Sequence, residues 1–217
     1  MPETLDPAPH SSKNVKPQAA YHHGNLRAAL IAAARGALET EPPESVTLKS
    51  LALRLGVSQP APYRHFESRE ALLAAVAAEG FVRFHGALAE SVEKVPPEEA
   101  IERSCLAYIA FGTGNIGVYR LMFASATLRA AKDPELARAS DAAFNFLLED
   151  VARNAPPERA HAIATWLWSS LHGLVMLMAE GLACGTRPES VQPAVVVHEM
   201  IRAFQLSVKQ PLHLNPA

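Results

Sequence analysis

The sequence predicts an all-α protein: an N-terminal three-helix helix-turn-helix unit, a long joining helix, and a larger helical C-terminal domain. Three observations predict it. Apolar residues recur at helical spacing along most of the chain, and no stretch alternates as a strand would. Proline pairs at 42–43, 96–97 and 156–157 cut that pattern into helix-sized lengths. Residues 46–66, VTLKSLALRLGVSQPAPYRHF, read as two short helices joined by a tight turn. Composition agrees, since 49% of the 217 residues are apolar and 19% charged, the balance of a globular chain.

Taken in order, residues 1–20 are rich in Pro, Ser and Ala without apolar periodicity and read as a disordered tail. Lys13 and Lys16 make it either a solubilising segment or a basic arm for phosphate or the minor groove. Tyr21-His22-His23-Gly24 follows. Adjacent histidines rarely converge on one metal ion, so a surface or phosphate-contact role is the reading. Residues 25–40 form a helix with Leu26, Leu30, Ala33, Ala34, Ala37 and Leu38 on one face, ended by Pro42-Pro43.

In 46–66, the first helix runs from 48 to 55 with Leu48, Leu51, Ala52 and Leu55 inward and Thr47 as its cap. Gly56 supplies the left-handed residue that ends it. Ser58 is expected to cap the second helix. Pro60 fits its first turn, but Pro62 removes a helical N–H and biases Ala61 away from helical dihedrals. That helix should be short, regular mainly in its latter half, and held by packing of Tyr63 and Phe66. The arrangement either packs as a plain helical hairpin or lays its second helix in a DNA major groove. Charge favours the groove: Lys49, Arg54, Arg64 and Arg69 stand against Glu67 in a chain of net charge −2, so any DNA contact is local.

Ser68 caps a long helix to about residue 93, carrying Leu72, Leu73, Val76, Phe81, Phe84 and Leu88. Further helices are expected over 98–113, 116–126, 134–154, from the 156–157 proline pair to about 183, and over 191–208. Gly112, Gly114 and Gly117 have no preceding strand, so they mark a helix break and not a nucleotide loop. Cys105 and Cys184 are too few for a disulfide framework or a zinc site, and no metal or cofactor is expected. The N-terminus lacks a signal-peptide pattern, and the apolar run 166–179 is broken by Ser169, Ser170 and His172, reading as a core helix and not a membrane span. A reducing cytoplasm is the expected compartment.

These pieces together resemble the tetracycline-repressor (TetR) family. The residues that carry the resemblance are Val46-Thr47, Leu51-Ala52, Gly56-Val57-Ser58, Tyr63-Arg64-His65-Phe66, Ser68-Arg69-Glu70 and Leu72-Leu73. Tyr119-Arg120-Leu121-Met122-Phe123 and Trp168 with His172-Gly173 look like a subgroup with a Trp-His-Gly type C-terminal domain. The sequence departs from the family at Pro62, where a larger aliphatic residue is usual, and at Arg69, where Lys is usual. The resemblance implies a tail at 1–20, a DNA-binding domain at 21–67, and a ligand-binding and dimerisation domain at 68–217. It also implies a homodimer on a palindromic operator, with a small-molecule effector. In the reading unit, Gln59 suits an adenine edge and Ala61 a thymine methyl. Thr47, Lys49, Tyr63, His65 and Arg69 suit phosphates, and Arg64 suits either.

Phe81, Phe84, His85, Tyr108, Phe111, Tyr119, Met122, Phe144, Trp168, His172 and Met176 are either plain core or, as in such regulators, the lining of an apolar pocket. Trp168 and His172, one turn apart, form one local unit. The expected dimer seams are Ile163, Leu167, Leu171, Leu174 and Met178 on one helix, and Val197, Ile201, Phe204 and Val208 on the next. The expectation is a repressor released by an apolar or aromatic effector that biases the tilt of the long helix. Two alternatives stand beside it. A helical enzyme would use His161, His172, His198, His213, Glu180 and Glu199, but no metal or nucleophile motif accompanies them. A ligand-independent DNA-binding or adaptor protein would have a filled C-terminal core.

Overall fold

The computed structural model describes residues 25–123, 133–181 and 192–209, and the regular structure among them is helical throughout. The tail, residues 21–24, the end of the 116–126 helix and Cys184 lie outside the described residues.

Local capping chemistry sets most of the boundaries. Helix α1, Leu26–Leu38, begins where the Asn25 side chain accepts the Ala28 N–H at 3.2 Å. It buries Leu30, Ile31, Ala34, Ala37 and Leu38. A 3₁₀ turn, Pro43–Ser45, follows. Helix α2, Leu48–Leu55, starts at a reciprocal cap: Thr47 Oγ1 accepts the Ser50 N–H and Ser50 Oγ accepts the Thr47 N–H, both at 3.0 Å. Gly56, at φ +65°, ends it as expected, and the Val57 N–H reaches back to the Ala52 carbonyl at 3.0 Å.

The second helix of the unit is shorter than the sequence predicts. Ser58 caps nothing, and only a 3₁₀ turn, Pro62–Arg64, forms. Ala61 nevertheless takes helical dihedrals (φ −60°, ψ −44°), so Pro62 does not expel it from that region. The physical effect of the prolines lies elsewhere. Pro60 and Pro62 supply no N–H, and the segment closes through short-range bonds, Ala61 N–H to Ser58, Arg64 N–H to Ala61 and His65 N–H to Pro62. Phe66 anchors it in the core, whereas Tyr63 is 57% exposed and does not pack as expected.

Ser68 accepts the Ala71 N–H at 3.1 Å and opens α3, Arg69–Val92. The rest of the chain builds around α3: α4 (Pro97–Gly114), α5 (Ile116–Met122), α6 (Pro134–Ala152), α7 (Pro157–Ala179) and α8 (Pro193–Lys209). Proline opens α4, α6, α7 and α8, where its missing N–H has no helical partner to lose. Helix α3 packs on α1, α4, α5 and α6, while α7 lies against α4 and α6, and α8 against α4 and α7. One apolar core runs from α1 through the C-terminal helices. By length and composition α3 and α7 are both apolar enough to cross a membrane; α3 is mostly enclosed by the fold, whereas α7 keeps one face exposed.

Candidate functional site

The reading unit presents Lys49, Gln59, Tyr63, Arg64 and His65 on its exposed surface, with Ala61 half-buried beside them. Two expected phosphate contacts are otherwise engaged. The Thr47 hydroxyl is spent on the Ser50 cap. Arg69 donates from Nε to the Val46 carbonyl at 2.9 Å and from a terminal nitrogen to the Pro43 carbonyl, tying the start of α3 to the loop before α2. A guanidinium in this position ties two backbone carbonyls of the preceding loop to the start of α3, which makes Arg69 a brace of the unit. Arg54 grips both oxygens of Glu41 at 2.6 Å and holds that carboxyl below its usual pKa, helped by Ser45. Arg27 lies 5.4 Å over the Phe66 ring and 3.7 Å from Glu135 at the start of α6.

A narrow cavity between α3, α4, α6 and α7 has a volume of about 20 Å³, room for one or two water molecules. Its lining comes from Phe81, Phe84 and Leu88 on α3, Ser104, Cys105 and Tyr108 on α4, Ser140, Ala143, Phe144, Phe146 and Leu147 on α6, and Trp168 and Leu171 on α7. Five of the expected pocket residues are there: Phe81, Phe84, Tyr108, Phe144 and Trp168. The other six pack behind or beside the cavity. His85 stands edge-on to Phe146 at 5.5 Å, and Phe111 supports Phe84 at 5.1 Å. Tyr119, Met122, His172 and Met176 are core or half-buried residues outside the lining. Sequence reasoning misses Leu88, Ser104, Cys105, Ser140, Ala143, Phe146, Leu147 and Leu171; small residues such as Ser140 and Ala143, at helical spacing with Phe144, give it no signal.

The missing polar residues form a chain of their own. The Tyr119 hydroxyl sits 2.8 Å from the Tyr108 hydroxyl and 2.8 Å from His172 Nδ1. Burial raises the pKa of both tyrosines and lowers that of His172, so all three are neutral near pH 7. Burial also pushes the Cys105 thiol up to about 12, leaving it inert. Trp168 and His172 meet through Phe123, 5.9 Å and 4.7 Å from each ring.

Helix α5 joins this chain to the reading unit. Glu39, just past α1, accepts the Gly117 N–H at 3.1 Å and the Val118 N–H at 3.2 Å, capping α5 from the other domain. Gly117 lies so close to α1 that a Cβ there would stand 2.0 Å from the Leu38 carbonyl oxygen. Nothing local marks Glu39, because its partners are far along the chain.

The residues of the expected dimer seams are covered within the single chain. Ile163, Leu167, Leu171, Leu174, Val197, Ile201 and Phe204 are buried within the single chain, and Met178 and Val208 are half-buried against it. Helical periodicity identifies an apolar stripe without saying what covers it, and here the chain's own core does. The exposed apolar residues lie on the opposite faces: Trp166 and Leu177 on α7, Val195 and Leu206 on α8. An open groove between these helices is lined by Ala162, Trp166 and Ala203 among others.

Among the described residues no group of three or more His, Cys, Asp or Glu side chains is placed to hold a metal ion. Comparison with known proteins gives two family matches. Residues 30–76 match the model for bacterial regulatory proteins of the tetR family, and residues 101–204 match a tetracyclin repressor-like C-terminal domain. None of the curated proteins compared matches the chain. Among solved structures, a protein of unknown function from Rhodococcus sp. RHA1 is 28% identical, with a TM-score of 0.76 over 89% of this chain and 100% of that one. A single-substitution variant of TetR from Acinetobacter baumannii AYE, in complex with minocycline, is 22% identical, with a TM-score of 0.59 over 84% of this chain and 98% of that one. BioQ, with its double-stranded DNA operator, is 18% identical, with a TM-score of 0.55 over 82% of this chain and 97% of that one. The two family matches take in the reading unit, most of the cavity wall and the C-terminal helices, and the chain belongs to the TetR family of DNA-binding transcription regulators, which are not enzymes.

Proposed function

We propose that this regulator is a cytoplasmic repressor that leaves its operator when a small apolar or aromatic molecule enters the cavity between α3, α4, α6 and α7. One observation carries the reading: α3 contributes Phe81, Phe84 and Leu88 to the cavity, while Arg69 at its start braces the reading unit. A ligand of ordinary size must widen so narrow a cavity, and widening it moves α3 relative to α4 and α6. Packed helices respond to such pressure by shifting as bodies. The minocycline complex and the operator complex of the two structural relatives support a fold that serves both partners.

On DNA, Gln59 reads a base edge, Ala61 meets a thymine methyl, and Lys49, Tyr63 and His65 hold phosphates, with Arg64 able to do either. The division into a reading domain at 21–67 and a ligand domain at 68–217 follows the same logic. Two copies pair through the exposed faces of α7 and α8, which sets two reading units about 34–36 Å apart for successive major grooves. A ligand that favours another spacing weakens DNA binding by its differential affinity, and DNA weakens the ligand equally. The test is a thermal-shift screen of apolar and aromatic compounds, followed by operator titrations with each compound that stabilises the protein. A compound bound among Phe81, Phe84 and Trp168 that leaves operator affinity unchanged would sink the coupling.

A further inference from the structure

Ser104 and Asp150 are the two buried polar side chains among the described residues; Ser104 lines the cavity and Asp150 lies outside its lining. Asp150 is 2% exposed; Arg153 pairs with its Oδ1, and its Oδ2 has no hydrogen-bond partner. A buried carboxylate oxygen without a donor is costly and calls for an explanation. Burial raises the Asp150 pKa, and Ser104, on the cavity wall, is near enough to draw it down. Its hydroxyl proton is given to the Ile101 carbonyl at 3.0 Å, so toward the cavity it offers lone pairs alone. Ser140, the other serine of the lining, likewise donates to its own helix, to the Ala137 carbonyl at 2.9 Å. Tyr108 is engaged with Tyr119 and Trp168. The described lining therefore presents acceptors and almost no donors.

We propose that the effector is a neutral, largely aromatic molecule bearing a hydroxyl or N–H donor, and that Ser104, backed by Asp150, is the acceptor that selects it. This rests on the cavity being the effector site. When the donor reaches Ser104 Oγ, the serine proton swings from Ile101 to Asp150 Oδ2, and the orphaned oxygen gains its partner. Ligand, serine and carboxylate then form one continuous chain of hydrogen bonds. An anionic ligand is excluded, because none of the described lining residues is a cation and Asp150 stands behind them. A full ammonium is disfavoured too, since Arg153 already pairs with the Asp150 carboxylate. Asp150 acts here through Ser104 and is a positioning residue.

The experiment titrates the full-length protein calorimetrically with four probes of one shape: naphthalene, 2-naphthol, 2-methoxynaphthalene and 2-naphthoate. The expected result is that 2-naphthol binds roughly tenfold tighter than 2-methoxynaphthalene, the size of a hydrogen bond backed by charge, and that 2-naphthoate does not bind. In Ser104→Ala that preference should vanish while naphthalene binding persists. Asp150→Asn, which keeps shape but removes the charge, should reduce it. Melting curves establish that both variants fold. Equal binding of the hydroxyl and methoxy probes, or a preference that survives in Ser104→Ala, would overturn the Ser104–Asp150 assignment alone. Failure of all four probes to bind would overturn the cavity reading as well.

Discussion

Replacing Gly117 with alanine tests the close approach of α5 to the end of α1. The new Cβ would lie 2.0 Å from the Leu38 carbonyl oxygen and 2.5 Å from its carbon, where ordinary contact begins at 3.4 Å. The obstacle is backbone, so no side-chain rotation relieves it, and α1 and α5 must part by about 1.4 Å. Glu39 then loses reach of at least one of the two amides it now caps at 3.1 and 3.2 Å. Overpacking costs about 1–3 kcal/mol and a lost helix cap about 1 kcal/mol. For a chain of this size the sum is a fall in melting temperature of roughly 5–15 °C. Glu39→Ala, which removes the cap without the clash, should fall by only about 2–4 °C. Because α1 packs directly on α2, the displacement also moves the reading unit, so operator affinity in anisotropy titrations should drop while helical circular dichroism is retained. A Gly117→Ala protein that melts within a degree of the wild type would refute the close approach; a drop matching Glu39→Ala would show that the cap alone holds the junction.

Three further outcomes follow from the same structure. Trp166→Glu combined with Leu206→Glu should yield folded monomers by light scattering, whereas Phe204→Glu, buried in the chain's own core, should unfold it; a folded monomer from Phe204→Glu would restore the seam read from periodicity. Gln59→Ala should relax base preference by about 1–3 kcal/mol if its contact is bidentate, while Arg69→Ala should loosen the reading unit and lower its melting temperature; unchanged stability in Arg69→Ala would return that residue to the phosphate backbone. Burial lowers the His172 pKa from its ordinary 6.5, so the unfolded chain takes up the proton first and stability falls as pH drops through that value toward the folded one. His172→Gln should flatten the decline in melting temperature between about pH 7 and pH 5, and an identical slope in both proteins would contradict it.

What the sequence reveals depends on how local the cause is. Thr47, Gly56 and Ser68 are readable because capping involves backbone within three or four residues. The prolines of the reading segment are visible, yet their outcome is not, since a run of i→i+3 bonds relieves the missing donors without displacing Ala61. The carbonyl partners of Arg69 are not visible in the sequence because they belong to residues far back in the chain. For the cavity, large aromatic side chains are the guide that sequence offers, whereas a void is made by small ones such as Ser104, Ser140 and Ala143. Tyr119 and His172 carry polarity that would suit an effector, and that polarity is spent on each other and on Tyr108. Glu39 is beyond reach, its role fixed by a contact across the fold.

The two prolines of the reading segment bear on the thermodynamics of recognition. With the Pro60 and Pro62 dihedrals fixed near about −65° by their rings and Phe66 seated in the core, the segment has little conformational freedom left to lose at the DNA surface. The missing amides of Pro60 and Pro62 also limit how regular a helix it could become on contact. Recognition by this protein is therefore closer to the docking of a rigid template than to coupled folding. The heat-capacity change of operator binding then reports the buried interface itself, without the added term that comes from ordering a segment. In the reading proposed above, a mismatched base meets Gln59 and Arg64 on a surface with little room to adapt.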